Sequence, residues 1–135
     1  MMLAAKWKEL EVPDVEGITL ASGERFTVDA AGLRPLSAPS ETNGWLDVVV
    51  LDVADLFGGK YRVRCGEATA HGSIGVVVLE DAKTQEMVWC LVSEDSNPFD
   101  QIEIKGGYVV VLSTSSSVFR FRPELDYAAL FIPGL

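Results

Sequence analysis

Few residues in this chain have types and spacings that could do chemistry. His71 is the only histidine, and Cys65 and Cys90 are the only cysteines. Zinc sites draw paired Cys and His ligands from short spacings, and these three residues form no such pair. No G-x-S-x-G elbow is present, and neither cysteine sits in a catalytic sequence context. Phe57-Gly58-Gly59-Lys60-Tyr61 lacks the upstream glycine and the Ser or Thr after lysine that a phosphate loop needs. Asp95 to Asp100 lacks the alternating ligands, central glycine and closing glutamate of a calcium loop. Two acid pairs remain, Glu80/Asp81 and Glu94/Asp95, and glycosidases do work with paired carboxylates. Adjacent acids on a strand point to opposite faces, however, and a solvated loop does not raise a carboxylate pKa. His71, in a loop flanked by glycines, reads as a turn or surface residue. The expectation is a protein that is not an enzyme and uses no cofactor and no metal.

What survives is acidity. The formal net charge is −9. Nucleic acid is therefore not an expected partner, because phosphate binding needs clustered Lys and Arg. Between Glu80 and Glu103 lie Glu80, Asp81, Glu86, Glu94, Asp95, Asp100 and Glu103, against Lys83 alone. Such a group can steer and pair with a basic protein. The candidate partner-binding residues are Glu80, Asp81, Glu94, Asp95, Asn97, Phe99, Asp100 and Glu103. Trp45, Trp89 and Phe99 are apolar anchors of that surface if exposed; their size argues instead for core positions.

The elements that must carry these residues are strands. Gln101 to Lys105 alternates polar and apolar, and Gly106-Gly107 supplies a two-residue hairpin turn. That turn sets Lys105 opposite Tyr108, Ile104 opposite Val109 and Ile102 opposite Val111. Tyr108 to Leu112 is apolar throughout, which predicts cover on both faces, and Val118 to Arg122 resumes alternation. Upstream, Gly17–Leu20 and Arg25–Asp29 form a first hairpin, and Ala31 to Gly44 reads as the longest irregular and most mobile connection. Trp45–Val53 is a strand whose β-branched run predicts burial on both faces near its middle, Gly58-Gly59 a turn, and Lys60–Cys65 a strand with Tyr61, Val63 and Cys65 on one face. Gly66 to Gly72 is a loop, Ile74–Leu79 a strongly apolar strand, Glu80 to Glu86 a charged turn and Met87–Val92 its partner strand. Ser93 to Asp100 is an acidic connection. Ala4 to Leu10 is a short helix or loosely docked turn, and Phe131-Ile132-Pro133 a closing strand or extended tail. The fold class is mainly β: one domain over 1–135, an antiparallel meander of about nine short strands, arranged as an incomplete propeller, sandwich or barrel. Three hairpin units, Trp45–Cys65, Gly72–Val92 and Phe99–Arg122, share a loose pattern.

No apolar run approaches the roughly 20 residues of a membrane helix, and Lys6 and Lys8 interrupt any signal-peptide core. No membrane partner is expected, and residence is cytoplasmic, with buried reduced thiols. The runs Gly72-Ser73-Ile74-Gly75, Met87-Val88-Trp89, Ser96-Asn97-Pro98-Phe99 and Leu112-Ser113-Thr114 ahead of Val118-Phe119-Arg120-Phe121 resemble small bacterial immunity proteins of secreted or contact-dependent toxin systems. Over residues 72–122, the resemblance implies an all-β, incomplete-propeller-like fold. It also implies that the chain neutralises a cognate toxin domain, expected to be basic, by covering it. Such a protein would be a monomer or weak dimer. A structural or adaptor β-domain and a carbohydrate-binding β-domain with Trp45 and Trp89 in a groove are the alternatives.

Overall fold

A computed structural model describes residues 3–29, 32–35, 44–69, 71–122 and 131–133. It contains one α-helix, α1 (Leu3–Lys8), a short 3-10 turn at Phe57–Gly59 and twelve strands among the described residues. The first four strands are β1 (Glu11–Pro13), β2 (Gly17–Leu20), β3 (Arg25–Asp29) and β4 (Gly32–Pro35). The long central strands are β5 (Trp45–Leu56), β6 (Tyr61–Ala68), β7 (His71–Asp81) and β8 (Met87–Ser93). The last four are β9 (Phe99–Lys105), β10 (Tyr108–Ser113), β11 (Val118–Phe121) and β12 (Phe131–Pro133).

Every pairing is antiparallel, and the strands form two sheets rather than propeller blades. The larger runs β1-β5-β6-β7-β8-β2-β3-β4, and the smaller runs β12-β11-β10-β9. The Gly106-Gly107 hairpin has the expected register, with Lys105 opposite Tyr108, Ile104 opposite Val109 and Ile102 opposite Val111. Both glycines have positive φ (57° and 81°), the conformation that a twisted two-residue turn requires. The first hairpin also forms, pairing Ile18 with Phe26.

Several expectations need correction. A strand, β4, occupies part of the stretch read as irregular, because Gly32–Pro35 completes a ladder with β3; residues 36–43, where mobility was expected, lie outside the described residues. The 66–72 loop is shorter than expected, since β6 runs to Ala68 and β7 begins at His71. On β10 only Val109, Val111 and Ser113 are buried. Tyr108, Val110 and Leu112 are half-buried on the outer face, where the guanidinium groups of Arg120 and Arg122 lie 4.8 and 4.4 Å from the Tyr108 ring centre.

The middle of the larger sheet is covered on both faces, which explains why Ile74 to Glu80 is buried at every position; β5, expected to be covered likewise near its middle, lies near the sheet's edge and leaves Val49 and Leu51 exposed. Alternate residues enter two cores. Val77 and Leu79 join Ile18, Leu20, Val63, Cys65, Trp89 and Leu91 beneath the smaller sheet, which contributes Val109, Val111, Phe119 and Phe121. Ile74, Val76 and Val78 join Trp7, Val12, Leu46, Val48, Met87, Cys90 and Val92 on the other side. The two cysteines thus lie on opposite faces and are not bridged. Burial pushes each thiol up to about 12, and Asp52 and Asp100 add to the shift at Cys65. Neither presents a reactive thiolate near neutral pH.

Candidate functional site

The acids that cluster in the sequence do not cluster in space. β7 separates them, because its Ser73 end and its Asp81 end are roughly 26 Å apart at about 3.3 Å per residue. At the Asp81 end the carboxylates stabilise structure. Asp81 Oδ1 accepts the backbone N–H groups of Lys83 (2.8 Å) and Thr84 (3.0 Å) and so closes the β7–β8 turn. The Thr84 and Lys83 N–H groups hold its carboxyl below the usual carboxylate range.

Glu80 is not in a solvated turn. Its side chain is 0 % exposed. Trp7 Nε1 donates to Oε1 at 2.9 Å, Arg62 NH1 reaches Oε2 at 3.5 Å, and Arg64 Nε lies 2.9 Å from Oε1 as an ion pair. A strand residue on the α1 side of the sheet, with two arginines on the neighbouring strand, anchors the helix. The N-terminal segment is therefore tightly docked through Trp7, and Glu80 is not available to a partner. Phe99 is also removed from the candidate surface, since it is 2 % exposed and packs in the core. Glu103 is turned to the outer face of β9, where Lys105 Nζ approaches it at 3.1 Å and Gln101 Nε2 donates to it at 3.2 Å. Asp100 is exposed at the start of β9.

Glu94, Asp95 and Asn97 do come together, at the end where β8 leaves the larger sheet. Two acids that the sequence reading missed join them. Gly17 of β2 pairs with Val92 of β8, which brings the preceding Asp14 and Glu16 beside the 94–98 loop. Asp14, Ser73, Ile74, Glu94 and Asp95 line an open cleft of about 340 Å³. Glu16 Oε2 accepts the Glu94 backbone N–H at 2.6 Å. Partial burial pushes the Glu16 carboxyl above its ordinary value, with Glu94 and Asp95 adding repulsion and the Glu94 N–H opposing both. No sequence signal marks Asp14 and Glu16, because the β2–β8 pairing spans most of the chain. Among the described residues, no Lys or Arg pairs with Asp14, Glu16, Glu94 or Asp95.

The loop that carries them is held at several points. Asn97 N–H donates to Ser73 O (2.9 Å), Thr114 N–H to Pro98 O (2.9 Å) and Ser115 Oγ to Ser96 O (2.7 Å). Asn97 itself has φ 64°, a left-handed conformation that Asn tolerates better than most residues. Gly75 lies directly beneath. A Cβ there would fall 2.5 Å from Asn97 O and Ser96 Oγ and 2.7 Å from the Phe99 ring. Gly75→Ala is therefore expected to lift the loop and lower stability by about 1–3 kcal/mol. Faster amide exchange at residues 94–97 than in the parent protein checks this, and unchanged exchange would contradict it.

Compared with known proteins, the chain matches no family model, no curated protein and no solved structure. Its chemistry must be read from the geometry alone. Among the described residues no three His, Cys, Asp or Glu side chains are grouped to hold a metal ion, and no helix is long and apolar enough to cross a membrane. Trp89 is 0 % exposed, and Trp45 is half-buried with Lys6 Nζ 5.4 Å from its ring centre. The groove of two exposed tryptophans that sugar binding would need is therefore not formed by these residues. What the acidic end can do is accept cations. Single exposed ion pairs contribute only about 0–1 kcal/mol, but carboxylates held together on a fixed loop act jointly on one basic surface.

Proposed function

We propose that this chain is a non-catalytic binding module that occludes a basic partner protein. This is the role that its resemblance to immunity proteins of toxin systems implies. The observation that carries the reading is the acidic end. Asp14, Glu16, Glu94 and Asp95 come from two chain-distant segments and have no cationic partner among the described residues, and Glu94 and Asp95 sit on a backbone-anchored loop. A site held in place before binding loses little ordering entropy when a partner docks. A net charge of −9 accelerates encounter with a cationic surface. The partner is a toxin domain met in the cytoplasm, and the chain acts as a monomer or weak dimer. Occlusion needs no catalytic group on this side.

If the adjacent reading frame encodes a toxic C-terminal domain, co-expression with that domain tests the proposal. This protein should restore growth and co-purify with that domain. The double variant Glu94→Lys/Asp95→Lys, which leaves Glu16 to hold the loop, should weaken binding by about tenfold or more and flatten its salt dependence. Failure of both rescue and co-purification would remove the immunity reading. Full binding by the charge-reversed variant would move the interface away from the acidic end.

A further inference from the structure

The described large apolar residues that stand out in solvent are Val49 (41 % exposed), Leu51 (43 %), Val53 (50 %) and Ile104 (52 %). Three of them are on β5. β1 covers only Trp45–Asp47 of that strand, and the Val48 N–H donates to Leu10 O. From Val49 to Leu56 no described strand pairs along the outer edge.

The fourth residue overhangs the same edge. β9 crosses the larger sheet strand by strand. Phe99 lies against Gly75 of β7, Asp100 is near enough to Cys65 of β6 to raise its pKa, and Ile102 N–H donates to Asp52 Oδ2 of β5 at 2.8 Å. Ile104, on the same face of β9 as Ile102, therefore lies past the β5 edge.

A bulge decides what shape of partner fits. The β5–β6 register shifts between Val50 and Asp52, so Val49 faces Glu67 while Val53 faces Arg64. Those two β6 residues are three apart and point to opposite faces. The cores agree, since Val48 and Val50 enter one and Ala54 and Leu56 the other. Val49 and Val53 thus project from opposite faces of an edge strand. A flat surface cannot touch both, whereas an extended segment lying along the edge touches both with alternate side chains.

Charge identifies the segment. Among the described residues Asp47 and Asp52 have no cationic partner. Asp55 is 63 % exposed despite its 2.9 Å contact with Arg62. A second copy would set these aspartates against their own counterparts, on two chains of −9 each, and like charges on paired strands are destabilising. Asp52 also interrupts the edge, its Oδ1 capping the Val53 N–H at 2.9 Å, which further blocks a long ladder between identical edges.

We infer that the outer edge of β5 takes up an extended segment of a partner protein in which apolar residues alternate with Lys or Arg. The segment adds backbone pairing on either side of Asp52 and apolar contact with Val49, Leu51, Val53 and Ile104. This surface is separate from the acidic cleft and does not depend on it.

The test uses the full chain and a synthetic peptide of alternating Lys and Val. The control is the same peptide with alternate backbone nitrogens methylated, which keeps charge and apolar content but cannot pair. The unmodified peptide should bind about tenfold more tightly than the control and slow amide exchange along Val49–Leu56. Leu51→Lys/Val53→Lys, at exposed positions, should erase the difference while retaining the parent far-ultraviolet spectrum. Glu94→Lys/Asp95→Lys should preserve it, which separates this surface from the acidic end. Equal binding of the two peptides, no binding, protection confined to residues 94–98, or a self-dimer with its footprint on β5 would each overturn the inference.

Discussion

Glu80→Ala is expected to lower the unfolding free energy by about 3 kcal/mol, measured by urea titration. The cost of breaking a buried ion pair comes mainly from the charges left behind. Here Arg62 and Arg64 lose their shared carboxylate, and the fully buried Trp7 of α1 loses the acceptor of its Nε1–H. The estimate sits at the low end of the range for buried pairs because the arginines retain solvent contact, at 29 % and 23 % side-chain exposure. Arg62 also keeps Asp55 at 2.9 Å. Glu80→Gln should cost less, since the amide oxygen can still accept from Trp7. Trp7→Phe isolates that hydrogen bond and should cost about 1–2 kcal/mol. A loss below about 1 kcal/mol for Glu80→Ala would mean that the arginines rehydrate fully and that the helix is held by packing alone.

Trp89→Ala should be the more damaging change, at about 3–5 kcal/mol, by the same titration. Trp89 is 0 % exposed on β8, and its ring meets Phe121 edge-on at 4.9 Å and Phe119 at 6.1 Å. These contacts join the two sheets. Truncation leaves a void between them and removes ring pairs that contribute about 0.5–1.5 kcal/mol each beyond burial. Trp45→Ala is the matched control. Half-buried on β5, it should cost less than half as much. Comparable losses would show that the inter-sheet aromatic cluster is not where the fold draws its stability.

Local rules in the sequence determined most of the strands. The Gly106-Gly107 turn prescribed its own register, because two positive-φ residues fit only one twist, and Lys105–Tyr108 to Ile102–Val111 followed. Phe131-Ile132-Pro133 reads as a strand and pairs with β11, and Tyr61, Val63 and Cys65 do share a face. The continuous apolar run from Ile74 marked a strand, but not that Glu80 would extend its buried stretch. A carboxylate enters a core only when cations wait there, and Arg62 and Arg64 come from the neighbouring strand while Trp7 comes from the other end of the chain.

Only the tertiary structure decided which acids belong together. Along the chain Asp81 and Glu94 look like parts of one cluster, yet a strand of extended backbone carries them to opposite ends of the sheet. Glu16 and Glu94 look unrelated, yet the pairing of β2 with β8 sets one to cap the other. The β5 bulge is similarly invisible locally, because the β-branched run suggests burial on both faces, while the register with β6 turns Val49 and Val53 outward on opposite sides. Side-chain period and turn chemistry are local and can be read in order. Long-range strand pairing is set by the total fit of two cores, and it placed every carboxylate of the candidate site.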